Sequence, residues 1–86
     1  MVPTAWPEWW EWERRRTHHL ELRMEERDLN EVGLREIMSA ATGFSPALEV
    51  GRFVVYVSRH RRRWKIIVEP DSKARVLVVV TVFQVD

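Results

Sequence analysis

The chain has 86 residues, 45% hydrophobic and 31% charged, with no cysteine; that size and apolar share describe one small globular domain, residues 1–86, and not a disordered chain. Without cysteine, a disulfide scaffold, a thiolate zinc site and a cysteine nucleophile are excluded. The net charge of +1 hides a division, since residues 1–43 carry six Arg against nine Asp/Glu and residues 44–86 carry eight Lys/Arg against four, so positive potential is expected to gather on one surface.

Met1 to Pro7, with prolines at 3 and 7, reads as a loop or arm. The N-terminus holds acids and tryptophans where a signal peptide would have a basic head and an apolar stretch, so a soluble cytoplasmic protein is expected. Glu8-Trp9-Trp10-Glu11-Trp12-Glu13 can open a helix, with its acids favoured in the first turn. Residues 1–16 thus form a Trp-rich arm or helix ahead of a core at 17–86. Four tryptophans, Trp6, Trp9, Trp10 and Trp12, exceed what one helix face can bury. Either they anchor a partner, such as a second copy in a homodimer, or they wrap back over their own sheet.

Thr17 is a plausible N-cap, and His18 to Arg27 are good helix formers. Asp28 with Glu31 fits a capping box, while Asn30 can cap alone. Leu34, Ile37, Met38 and Ala41 then make a one-face helical stripe, which Gly43 ends and Pro46 keeps from resuming.

Beyond Gly43 the period changes to two. Phe53 to Val57, Trp64 to Val68 and Val76 to Val85 are rich in β-branched and aromatic residues, and Ala47 to Val50 offers a short edge strand. The longest apolar run, Val76 to Val80, is far too short to span a bilayer as a helix, so no membrane is expected. Arg59-His60-Arg61-Arg62-Arg63 and Glu69-Pro70-Asp71-Ser72-Lys73 have hairpin length. Trp64, Ile66 and Val68 alternate with Lys65, Ile67 and Glu69, which marks one covered and one partly polar face. The expected fold is α+β: two N-terminal helical segments packed on a three- to four-stranded antiparallel meander.

Two features carry possible chemistry. Arg59, Arg61, Arg62 and Arg63 with Lys65 form the densest basic cluster, which in isolation reads as a solvated turn and, beside a second phosphate-binding feature, as an RNA-binding surface shared with His19 and Arg23. His19, Arg23 and Arg27 stand at i, i+4 and i+8 along one helical stripe, beside the apolar Leu20 and Met24. Read from spacing, that stripe is first a solvated face on which Glu26 and its neighbours pair the arginines. Its chemical reading is a proton carrier beside phosphate ligands. His18, His19 and His60 lack a metal-binding spacing, so neither metal nor cofactor is expected.

His19-x-x-x-Arg23-Met24-x-Glu26-Arg27, followed by Leu29-Asn30 and an amphipathic helix, resembles the opening of a bacterial domain-of-unknown-function family. Trp64-Lys65-Ile66-Ile67-Val68-Glu69 and Val78-Val79-Val80-Thr81-Val82-Phe83 are similar to its later strands. The family is grouped with RelE/ParE-like toxins, in a fold class shared with barnase- and colicin-type ribonucleases. The resemblance covers about residues 17–84. Phe83 stands where the family usually has tyrosine, and Gly33 interrupts the second helix.

The resemblance implies a toxin of a toxin–antitoxin system that cleaves RNA without metal, with a cognate antitoxin and RNA, ribosome-associated mRNA included, as partners. His19 would act as base or acid and Arg23 would hold the scissile phosphate. Arg27 or Lys65 would add charge, and Thr81 would hydrogen-bond a phosphate oxygen. Tyr56 offers a stacking surface for an unpaired base; Trp64 does too, although core packing is its simpler role. Two alternatives stay open: a ParE-like toxin that binds a protein target without cleaving anything, and a non-enzymatic binding or oligomerisation module.

Overall fold

The computed structural model describes residues 6–85; of the expected loop at Met1 to Pro7, the first five residues lie outside them. A 3-10 turn, Glu8–Glu11, leads into strand β1, Glu13–Arg16. Helices α1, His18–Glu26, and α2, Glu31–Ser39, follow, and then strands β2, Ala41–Pro46, β3, Phe53–Arg59, β4, Arg62–Asp71, and β5, Val76–Gln84. The five strands form one sheet in the order β1-β5-β4-β3-β2.

This corrects the expected architecture. The sheet has five strands and is mixed, and the helices lie mid-chain between its two edge strands. The helical opening at residue 8 is a 3-10 helix that stops at Glu11, and Glu13–Arg16 is a strand that pairs parallel to Val76–Val79. A polar four-residue segment carries little strand preference of its own, and the edge of β5 supplies its hydrogen-bond partners. The edge strand expected at 47–50 lies instead at Ala41–Pro46, and 47–51 form the following turn. Gly43 does not end the second helix but pairs with Tyr56 inside β2, just after Thr42, the extra residue where β2 slips register against β3. Pro46 is tolerated because β2 is an edge strand.

The helix ends follow local chemistry. Thr17 caps α1, its hydroxyl accepting from the Leu20 amide at 3.1 Å. Asp28 is not the cap of α2. It takes φ 54° after α1, and the Leu29 amide donates to the Met24 carbonyl at 2.8 Å while the Asp28 amide donates to that of Glu25 at 3.1 Å. Those two bonds close a Schellman motif, which leaves Asn30 to cap α2 through the Gly33 amide at 2.8 Å. Gly33 sits inside α2, where a β-carbon would meet Leu29 Cδ1 at 2.7 Å.

Strands β3, β4 and β5 pair antiparallel through two hairpins. The first turns on His60 and Arg61, both at positive φ (51° and 65°), the pattern of a two-residue type I′ turn. In the second, Asp71 Oδ1 accepts from the amides of Lys73 and Ala74.

One face of the sheet is covered. Leu20 and Met24 of α1, Leu34, Ile37 and Met38 of α2, and Trp10 close over Val55, Val57, Ile66, Val68, Leu77, Val79 and Val82. The 3-10 turn lies on this same face, with Trp6 and Trp9 against Phe44 and Phe53 at ring separations of 5.0–5.7 Å. Val54, Tyr56, Lys65, Ile67, Val78, Thr81 and Phe83 belong to the other face, which no helix covers.

Candidate nucleic-acid interface

The alternation along β3 and β4 sends Tyr56 and Lys65 to the open face as direct cross-strand partners. Lys65 Nζ stands 5.9 Å from the Tyr56 ring centroid, and the Tyr56 hydroxyl shares a 2.7 Å hydrogen bond with Ser45. The hydroxyl is thereby held in place, and Tyr56 stays exposed. A pocket of about 390 Å³ gathers Thr42, Tyr56, Ser58, Arg63, Trp64 and Lys65. Its walls combine a phenol ring, an indole, an ammonium group and a guanidinium group, the components that hold an unstacked base next to its phosphate.

Other basic residues go elsewhere. Arg59 has the parity of Val57 and donates to Glu36 of α2 at 2.6 Å, so it ties the hairpin to the helix layer. Arg61 forms the turn, and Arg62 is exposed on the helix side of the sheet. Of the hairpin arginines, Arg63 is the one set beside Lys65 and Tyr56.

His19, Arg23 and Arg27 belong to the helix layer. Their charge pairing expected from spacing is not what the chain makes: none of the three has a side-chain partner among the described residues. The start of α1 is nonetheless fixed to the β1 side of strand β5. The Thr17 amide donates to the Val79 carbonyl at 3.3 Å, and its hydroxyl donates to the Val80 carbonyl at 3.0 Å. Val80 is the extra residue of a β-bulge, since Ile67 pairs with Thr81 and Val68 with Val79. The bulge carbonyl would otherwise lack a ladder partner, and Thr17 satisfies it while capping α1. His18 and His19 therefore begin next to β5, just short of Thr81, and both are exposed. Arg23 and Arg27 lie about one and two helical turns further along.

Thr81 shares the open face with Ile67, but its hydroxyl is shielded from solvent and makes no hydrogen bond among the described residues. A phosphate oxygen has no direct path to it. Trp64 has the parity of Ile66 and packs against the core, although its edge reaches the pocket. Trp6, Trp9, Trp10 and Trp12 all pack against their own sheet and core, with Trp10 only 2% exposed.

Among the described residues, no three His, Asp or Glu side chains are grouped as metal ligands, and no helix is long and apolar enough to cross a membrane. The Arg14-Arg15-Arg16 run carries no expectation from the sequence, because it lies in the acidic half of the chain. Its visible signal is three adjacent arginines directly after the tryptophans. Comparison with family models, curated proteins and solved structures gives no significant match, so the toxin-like resemblance rests on its short motifs alone.

Proposed function

We propose that the protein binds single-stranded RNA on the open face of its sheet and cleaves it there as a toxin-like endoribonuclease. The observation that carries this reading is the pocket in which Tyr56, Arg63 and Lys65 meet. A base stacked on Tyr56 places its phosphate near the two cations. Cleavage without metal needs a group to take the proton of the attacking 2′-hydroxyl and one to protonate the leaving 5′-oxygen. His19, exposed at the start of α1 beside β5, is the candidate proton carrier. Arg63 and Lys65 are the candidate phosphate ligands at the pocket, and Arg23, in the helix layer on the opposite side of the sheet, is not among them. Thr81 has no part in this reading, because its hydroxyl is shielded.

The test is fluorescence-anisotropy binding of a labelled single-stranded RNA, paired with a cleavage assay, alone and with ribosomes. Lys65→Ala should weaken binding and flatten its dependence on salt, since each phosphate contact releases counterions. His19→Ala should leave binding nearly unchanged and slow cleavage by about 10²–10⁴-fold. Binding without cleavage by the wild-type chain would remove the catalytic half. Absence of binding would overturn the reading and favour a protein target instead, for which the fully exposed Leu48 and Val50 at the β2–β3 turn are the natural contact.

A further inference from the structure

A second cavity, of about 650 Å³, lies between β1 and α2 on the helix side of the molecule. Its floor is apolar, formed by Leu34, Met38 and Val79 with the edge of Trp12, and Arg14, Arg16 and Arg35 stand around it. Arg14 and Arg16 are on the covered-face parity of β1, opposite Leu77 and Val79, while Arg35 reaches the cavity from α2.

The three guanidinium groups are poorly neutralised. Glu31 is the carboxylate that Arg16 and Arg35 share, at 4.0 and 3.6 Å, and its side chain is 65% exposed. Ion pairs of that length and exposure contribute little. Arg14 makes no ion pair among the described residues. Its Nη2 donates to the Trp10 carbonyl at 3.2 Å, and its Cζ sits 4.6 Å from the Trp10 ring centroid. Desolvation lowers its pKa below the usual arginine value; Glu11 acts against that shift and the nearby charge of Arg35 adds to it. A cation in that position is stabilised by an anion that enters the cavity.

The rim limits what that anion can be. Glu11, Glu13, Glu21 and Glu31 line the same cavity, so a polyanionic strand crossing it would meet a carboxylate for each arginine gained. A single phosphate group seated between Arg14, Arg16 and Arg35 meets one carboxylate there, Glu31, whose long, exposed ion pairs it can replace, and the apolar floor accommodates an uncharged remainder. The volume is that of a small-molecule site.

We propose that this cavity is a second binding site, separate from the open face, for a small phosphorylated molecule of nucleotide size. Arg14, Arg16 and Arg35 hold its phosphate, and Leu34, Met38 and Trp12 contact the rest. This inference does not depend on RNA binding.

The experiment is a titration of the full chain with adenosine 5′-monophosphate, inorganic phosphate and adenosine, followed by the fluorescence of Trp10 and Trp12 and by thermal shift. The monophosphate should bind at least about tenfold more tightly than either fragment, since phosphate and floor are then both used. Arg14→Gln and Arg35→Gln should each weaken it roughly tenfold or more, the range for a lost charge-assisted hydrogen bond. Lys73→Ala, in the distant β4–β5 turn, should bind as wild type does. Arg14→Gln should also melt no lower than wild type without ligand, because it removes a partly desolvated cation. Arg35 is 70% exposed, so Arg35→Gln tests the site even if Arg14→Gln folds poorly. Equal affinity for monophosphate and phosphate, an unchanged response in Arg35→Gln, or an equal loss in Lys73→Ala would each overturn the proposal.

Discussion

The two faces of the sheet are built from nearly the same residues and meet opposite conditions. On β4, Ile66 points into the core and is fully buried, while Ile67, its neighbour in sequence, lies on the uncovered face and is only half-buried. On β5, Val79 and Val82 face the helices, whereas Thr81 and Phe83 face away. The difference teaches that apolar content does not decide which face is the core. The helices do, and they go where Leu20, Met24, Leu34, Ile37 and Met38 can be buried together. The uncovered face keeps half-buried apolar residues next to Tyr56 and Lys65, a composition suited to contact with another molecule.

The most severe test of this comparison is a matched pair of truncations. Ile66→Ala should cost about 2–5 kcal/mol of unfolding free energy, the range for a large core residue cut to alanine. Ile67→Ala should cost about 1 kcal/mol, because much of its surface already meets water. Urea denaturation of both variants measures the gap, and equal losses would mean that the open face is covered in solution.

A smaller effect is expected at the joint between the layers. Thr17→Val removes a helix cap and the donor to the Val80 carbonyl together, and should cost about 2 kcal/mol. A loss of only a few tenths by the same measurement would show that the β5 bulge holds α1 in place without this hydroxyl.

The smallest effect has the opposite sign. Thr81→Val replaces a shielded, unbonded hydroxyl with a methyl group of similar shape and should raise stability by about 1 kcal/mol. RNA binding should be unchanged. Weakened binding in that variant would return Thr81 to the site.

Much of the local structure was legible from the residues. The caps at Thr17 and Asn30, the α2 stripe and the alternation of Trp64, Ile66 and Val68 are short-range patterns, and each is set by neighbours within one or two turns. The site was legible in part. Tyr56, Arg63 and Lys65 share a face because strand parity sends them there, but the distance from His19 and Arg23 to that face depends on where α1 docks. Arg59 lay in the same basic run as Arg63, yet its parity and Glu36 of α2 place it on the other side.

The sequence by itself determined where hydrophobic periodicity changes from helical to extended, where the helices start, and which residues of the central strands share a face. Long-range packing makes Glu13-Arg14-Arg15-Arg16 a strand and puts Gly43 inside strand β2, while Asp28 closes one helix and does not open the next. These were settled by partners distant in sequence or by competition between adjacent caps. A four-residue polar segment takes the conformation that satisfies its backbone, and here the free edge of β5, more than sixty residues away, supplies those hydrogen bonds.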